Sequence, residues 1–249
     1  MPHLAFAARG GNQEAQYHYG EMLFHGEGCV PNQKEGIRWI GKAAEGGYAQ
    51  AEASLAMVYF TGQAGVKKDL TQAKVWADRS ASQDDPIGLI CVAYLEIDQT
   101  RQFVAMQKSA NRGYAPAEYE LALLLVRDRL KTGKGLGSDI SDHIYWLQKA
   151  AEQGHGDAQV LLAEADLAAA NMVDDSQRMW YLEEAYRWLD RALGQPNNLF
   201  PLSEQFRAAG TMAKRQIEGL LPVNVQFQVL NSNKSWQPKL ALPYRHGHE

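Results

Sequence analysis

Apolar residues recur along most of this chain at helical spacing, inside blocks of thirty to forty residues that each open on a short apolar run. Taking the opening residue as position one, the blocks start at Ala15, Ala51, Ile87, Ala117 and Ala158, at intervals of 36, 36, 30 and 41 residues. Position five is Tyr19, Leu55, Cys91, Leu121 and Leu162, and position nine is Leu23, Tyr59, Leu95, Leu125 and then Asp166. Position six is small or slim: Gly20, Ala56, Val92, Ala122, Ala163. Apolar positions four apart with a small residue beside them predict a helix that packs closely on a neighbour.

A glycine-bearing link follows in the first two blocks, Gly26-Glu-Gly-Cys-Val30 and Gly62-Gln-Ala-Gly-Val66. Glycine tolerates positive φ, so such a link ends one helix and turns the chain back. A second amphipathic segment then carries Trp39, Trp76, Ala105, Trp146 or Trp188. Its end is strongest in Lys42-Ala-Ala-Glu-Gly-Gly47 and Lys149-Ala-Ala-Glu-Gln-Gly154. The predicted unit is helix, turn, helix. A hairpin of this size cannot cover its own apolar flanks, so it must stack on others like it.

These residues resemble the Sel-one-like repeat, an α-solenoid family related to the tetratricopeptide repeat. Block two matches best at its start (Ala51, Leu55, Ala56, Tyr59, Gly62, Gly65, Val66, Asp69, Ala73, Trp76), and blocks one and four at their ends. The resemblance covers roughly residues 5–195. It implies an all-α fold, a right-handed α-solenoid of stacked helix-turn-helix repeats. The expected organisation is the end of a preceding repeat helix over 1–14, then five repeats (15–50, 51–86, 87–116, 117–157, 158–199). A capping helix over 200–221 and an extended C-terminal tail over 222–249 complete it.

Blocks three and five depart from the pattern. Block three lacks the glycine link and has Ala105 in the tryptophan position; block five has Asp166 at an apolar position, which a shifted boundary would carry to the surface. The Lys131–Gly137 stretch of block four reads as a surface insertion, since no strand leads into it and its glycines and Lys-Thr stand in the wrong order for a phosphate loop. Leu4–Gly11 reads as the last turns of a second helix, which implies that something once preceded it. Residues 202–221 predict a helix whose Phe206, Met212, Ala213, Ile217, Leu220 and Leu221 cover the last repeat, and Pro222 stops it. Val223-Asn-Val-Gln-Phe-Gln-Val229 alternates apolar and polar residues, the period of a strand.

Composition narrows the possibilities further. The chain has 249 residues, is 45% apolar and carries a net charge of −4. No basic face interleaved with aromatics appears, which argues against a nucleic-acid partner, and no stretch is long enough to span a bilayer. The two cysteines, Cys29 and Cys91, fall in different blocks. They do not resemble the disulfide in each repeat that some secreted relatives carry, and they suit a bacterial periplasm or a cytoplasm. Removal of an upstream signal would place the chain in the periplasm.

Little catalytic chemistry is legible. No metal-ligand spacing, nucleophile elbow or nucleophile–base set occurs, and no cofactor is expected. His143 and His155 read as surface or link residues, and His246 and His248 as a solvated end.

In the related tetratricopeptide solenoid, the first helix of each repeat lines the concave wall. Transferred here, positions three, seven, ten and eleven predict a partner-binding face that includes Tyr17, Glu21, Phe24, His25, Met57, Phe60, Glu96, Tyr119 and Arg127. Leu89, Leu123 and Val126 fall on the same stripe, where tight curvature would turn them into core. Phe227, Trp236 and Tyr244 in the tail are further candidates. The resemblance implies a non-enzymatic protein-binding module. Some bacterial members are immunity proteins that neutralise secreted antibacterial effectors, including phospholipases of type VI secretion, and that is the expected role. The alternatives are an envelope scaffold for a secretion or polysaccharide complex and, more remotely, a cell-wall or β-lactam hydrolase. The expected partner is another protein, a toxin or effector enzyme among the candidates; oligomeric state is open.

Overall fold

A computed structural model describes residues 2–132, 141–194, 200 and 202–239. All regular structure in them is α-helical. The chain divides into two compact units, Met1–Ser109 and Ala110–Glu249.

The first unit holds α1 (Pro2–Arg9), α2 (Gln13–His25), α3 (Gln33–Glu45), α4 (Ala49–Thr61), α5 (Leu70–Ser82), α6 (Pro86–Leu95) and most of α7 (Gln99–Asn111). Consecutive helices from α1 to α6 pack as hairpins, and α4 also packs on α6. Short polar residues start the helices. Asn12, Asn32, Asp69 and Asp85 each accept hydrogen bonds from backbone N–H groups of the first turn of α2, α3, α5 and α6.

The second helix of a pair ends at one recurring backbone conformation. Gly11, Gly47, Gly113 and Gly154 all have φ between 78° and 92°, the left-handed region in which a side chain is strained. This is the physical content of the repeated Ala-Ala-Glu-x-Gly ending. At the corresponding place after α5 the chain uses Asp84 at φ 60°.

The hairpin seams are lined with small residues. Ala43, Ala44, Ala51, Ala53, Ala56, Ala73, Ala77 and Ala93 have no exposed surface. The tightest crossing is α2 on α3. A Cβ added to Gly20 would stand 2.8 Å from the Gly36 carbonyl oxygen, and one added to Gly36 would stand 2.8 Å from the Gly20 carbonyl oxygen. Larger residues there would force the two backbones apart.

The second unit holds α8 (Ala115–Thr132), α9 (Ser141–Glu152), α10 (Gly156–Ala170), α11 (Asp175–Gly194), α12 (Glu204–Glu218) and α13 (Val223–Asn233). Its core joins Leu147, Val160, Leu162, Leu182, Tyr186, Leu189, Ile217, Leu221 and Val229 with the small residues between them.

Two sequence expectations are corrected here. Residues 223–229 are the start of α13, neither strand nor extended tail. Spacing by two also contains spacing by four: Val225 and Val229 lie one helical turn apart and, with Leu230, pack on the core, while Val223 and Phe227 stay exposed. A lone strand would have left its backbone groups unpaired, whereas a helix satisfies them internally. Beyond α13 the Lys239 N–H donates to the Glu152 carbonyl at 2.8 Å. Of the residues predicted to cover the last repeat, Ile217 and Leu221 are buried, Phe206 and Ala213 pack on the core, and Met212 and Leu220 are exposed.

Candidate partner-binding faces

In the first unit the predicted face is carried by α2, α4 and α6. Gly20 lets α2 lie close on α3, and alanines along α4 and α6 let those two helices pack on each other. Tyr17 is half-buried, its ring 5.4 Å from that of Tyr48, and its hydroxyl is hydrogen-bonded to Ser54. Burial, then the nearby Glu21 carboxylate, pushes its phenol well above the ordinary value. Glu21 pairs with the exposed His25 at 3.6 Å, and Phe24 packs edge-on against the His25 ring at 5.1 Å.

Phe60 stacks nearly parallel on Tyr94 of α6, centroids 6.2 Å apart. The Lys68 ammonium lies 5.3 Å above the Phe60 ring, a cation–π arrangement. Met57 turns inward and packs on the Ala56, Ala77 and Cys91 cluster. Glu96 follows α6, its Oε1 accepting from the Ile97 and Asp98 N–H groups of the link to α7. Leu89 is buried.

In the second unit, Tyr119 corrects the sequence reading. Its side chain is buried and belongs to the core, stacked on His155 at 4.3 Å. His155 in turn stacks on Phe200 at 5.6 Å and caps α10, its Nδ1 accepting from the Ala158 N–H. Read from sequence as a surface or link residue, it is a half-buried capping group. Burial pushes its imidazole down to about 4, against the smaller opposing effect of Asp157. Arg127 is exposed and partly offsets the burial that raises the Glu120 carboxyl. Leu123 and Val126 remain more than a third exposed.

Phe227 lies on α13, 62% exposed. Trp236 follows that helix, with the Arg191 guanidinium 4.9 Å from its ring centroid. Tyr244, His246 and His248 lie outside the described residues, as do positions 133–137 of the block-four insertion.

Several groupings were not legible in the sequence. Tyr94 falls at position eight of its block, off the predicted stripe, yet it forms the Phe60 stack. Position two is a polar stitch. Buried Glu52 takes Arg79 at 2.8 Å and the Gln83 amide at 2.8 Å. Buried Glu118 takes the Gln153 amide at 2.7 Å. Gln16 and Gln159 donate to carbonyls at the ends of the preceding helices. Around α13, Asn233 donates to Asp190 and to the Arg187 carbonyl and accepts from Arg191, and Lys214 pairs with the same Asp190 at 2.7 Å.

Among the described residues no group of three His, Cys, Asp or Glu side chains is placed to hold a metal ion, and no helix is long and apolar enough to cross a membrane. Asp166 is half-buried on α10; burial and then the charge of Glu184 raise its carboxyl to about 7.

Hairpins stacked through small-residue seams, with aromatic and charged side chains presented on their flanks, define a helical-repeat protein of the protein-interaction class. The chain carries Sel1 repeats: the family model for the Sel1 repeat matches residues 13–48, 49–85 and 115–155. Block three, with its missing link glycines and tryptophan, falls between the matches.

A protective antigen of uropathogenic Escherichia coli displaying an SLR fold is similar at TM-score 0.70 and 26% identity, over 96% of this chain and 49% of that one. A Sel1 repeat protein from Oxalobacter formigenes aligns at TM-score 0.58 and 21% identity, over 83% of this chain and 88% of that one. An immunity protein from Pseudomonas aeruginosa aligns at TM-score 0.51 and 18% identity, over 83% and 82%. Among curated proteins, chitin synthase regulatory factor 3 of Schizosaccharomyces pombe is 24% identical over 200 residues, 76% of this chain and 21% of that protein. The chain thus spans about a fifth of that relative's length and about half of the antigen's.

Proposed function

We propose that this chain is an immunity protein, binding a secreted antibacterial effector enzyme such as a phospholipase and neutralising it by occlusion. The binding face in the first unit is the flank of α2, α4 and α6, with Phe24 and Phe60 as anchors and Glu21 and His25 as charged surroundings. In the second unit, Arg127, Phe227 and Trp236 are separate contact residues.

The observation that carries this reading is the Phe60–Tyr94 stack under Lys68. It holds two large rings at the surface in a fixed geometry, where neither is needed to close the core. Pre-ordered aromatics with adjacent charge are the composition of binding hot spots. The similarity to an immunity protein supports the fold such a role uses. A polysaccharide-assembly scaffold is the second reading, favoured by the regulatory name of the chitin synthase relative.

Co-expression tests the proposal. A toxic effector encoded beside this chain should lose its toxicity when the chain is present, through a stable one-to-one complex. Unrelieved toxicity with no complex would reject the immunity role.

A further inference from the structure

In three repeats a cation three residues after the tryptophan lies over its ring. The Lys42 ammonium is 4.0 Å from the Trp39 centroid, the Arg79 guanidinium 4.6 Å from Trp76, and the Arg191 guanidinium 4.8 Å from Trp188. The third repeat keeps the cation, Lys108, and has lost the ring, because the tryptophan position is Ala105. A groove of about 260 Å³ adjoins Ala105, walled by Leu89 and Val92 of α6 and Val104 and Ala105 of α7, with Thr100, Arg101 and Lys108 at its edge. Arg101 and Lys108 are both exposed, and neither forms a side-chain ion pair among the described residues.

We propose that this groove is a socket for a partner protein's aromatic side chain, tryptophan above all, set in an acidic stretch of chain. The inserted ring takes the place of the missing tryptophan beneath Lys108, and carboxylates on either side meet Arg101 and Lys108. The volume is below the roughly 300–1,000 Å³ of small-molecule sites and suits one ring better than a metabolite. Apolar walls reward burial of the ring body, and an unpaired cation over its face adds cation–π attraction. The same chain shows three times that its repeats seat an indole under a cation. The proposal rests on the protein-binding reading above, but places a contact at residues other than the aromatic anchors argued there.

The test uses a fluorescein-labelled eight-residue peptide with one tryptophan flanked by glutamates, read by anisotropy against the full chain. Controls replace its tryptophan with alanine or its glutamates with lysines. The tryptophan–glutamate peptide should bind at least about tenfold more tightly than the alanine control. Ala105→Trp, which restores the residue used in the other repeats, should abolish that preference and leave thermal unfolding intact or raised. Lys108→Glu with Arg101→Glu, both on the surface, should reverse the preference toward the lysine-flanked peptide.

Equal binding of tryptophan and alanine peptides, or full binding by Ala105→Trp, would overturn the socket. So would a concentration-dependent dimer in sedimentation that Ala105→Trp disperses, since the occupant would then be a second copy of this chain. An effector bound equally by wild type and Ala105→Trp, with the peptide unbound, removes the socket alone. Failure to bind any effector bears on the immunity reading, not on the peptide result.

Discussion

Replacing Glu118 by glutamine should make the protein more stable at neutral pH and leave it unchanged in acid. The Glu118 carboxyl is 2% exposed, and the Gln153 amide donates to it at 2.7 Å. Burial raises it from 4.5 to about 7, against the lowering effects of that hydrogen bond and of Lys149. Between those values the folded chain holds a proton that the unfolded chain has released. Stability therefore falls as pH rises through this window, by the linkage of proton binding to unfolding. At about 1.4 kcal/mol per pH unit, the ceiling is about 3 kcal/mol above pH ~7, vanishing below pH ~4.5. A glutamine keeps an acceptor for Gln153 and has no charge to desolvate. Urea unfolding of both proteins from pH 4 to 8, followed by circular dichroism, isolates the effect, because every other titrating group cancels in the difference. Parallel stability curves, offset by the same amount at all pH values, would refute the reasoning.

His155 has the opposite sign. Its folded value of about 4 lies below 6.5, so the unfolded chain binds the extra proton and acid destabilises the fold between those values; His155→Asn should flatten that limb of the stability–pH curve. Gly36→Ala inserts a methyl against the backbone of α2. Overpacking of about 1–3 kcal/mol, less about 1 kcal/mol of helix propensity, predicts a net loss of up to about 2 kcal/mol by chemical denaturation. Asp85→Ala removes the acceptor for the Ile87 and Gly88 N–H groups and should cost about 1 kcal/mol, visible as earlier amide exchange in α6.

The fold was readable because its signals were redundant. Tryptophan, paired alanines and a terminal glycine return in several blocks, and the left-handed φ at Gly47 and Gly154 shows what the glycine does. The C-terminal segment had no such repetition. Val225 and Val229 fit two periods at once, and packing of α13 on α11 decides for the helix. Tyr119 was misplaced for a related reason: position three reads alike whether its ring faces solvent or is sandwiched against His155 and Phe200, and Phe200 is 81 residues away in sequence. Tyr94 escaped because its role depends on a ring from another helix. Nothing in the sequence marks Glu52 and Glu118 as buried, since the glutamine and arginine that satisfy them lie some thirty residues further along the chain.

Titration calorimetry of the neutralised effector against wild type and the Phe24→Ala, Phe60→Ala double variant probes the proposed interface most directly. The expected result is a loss of about 2–4 kcal/mol in binding free energy with helicity preserved. Wild-type affinity in a well-folded double variant would contradict it.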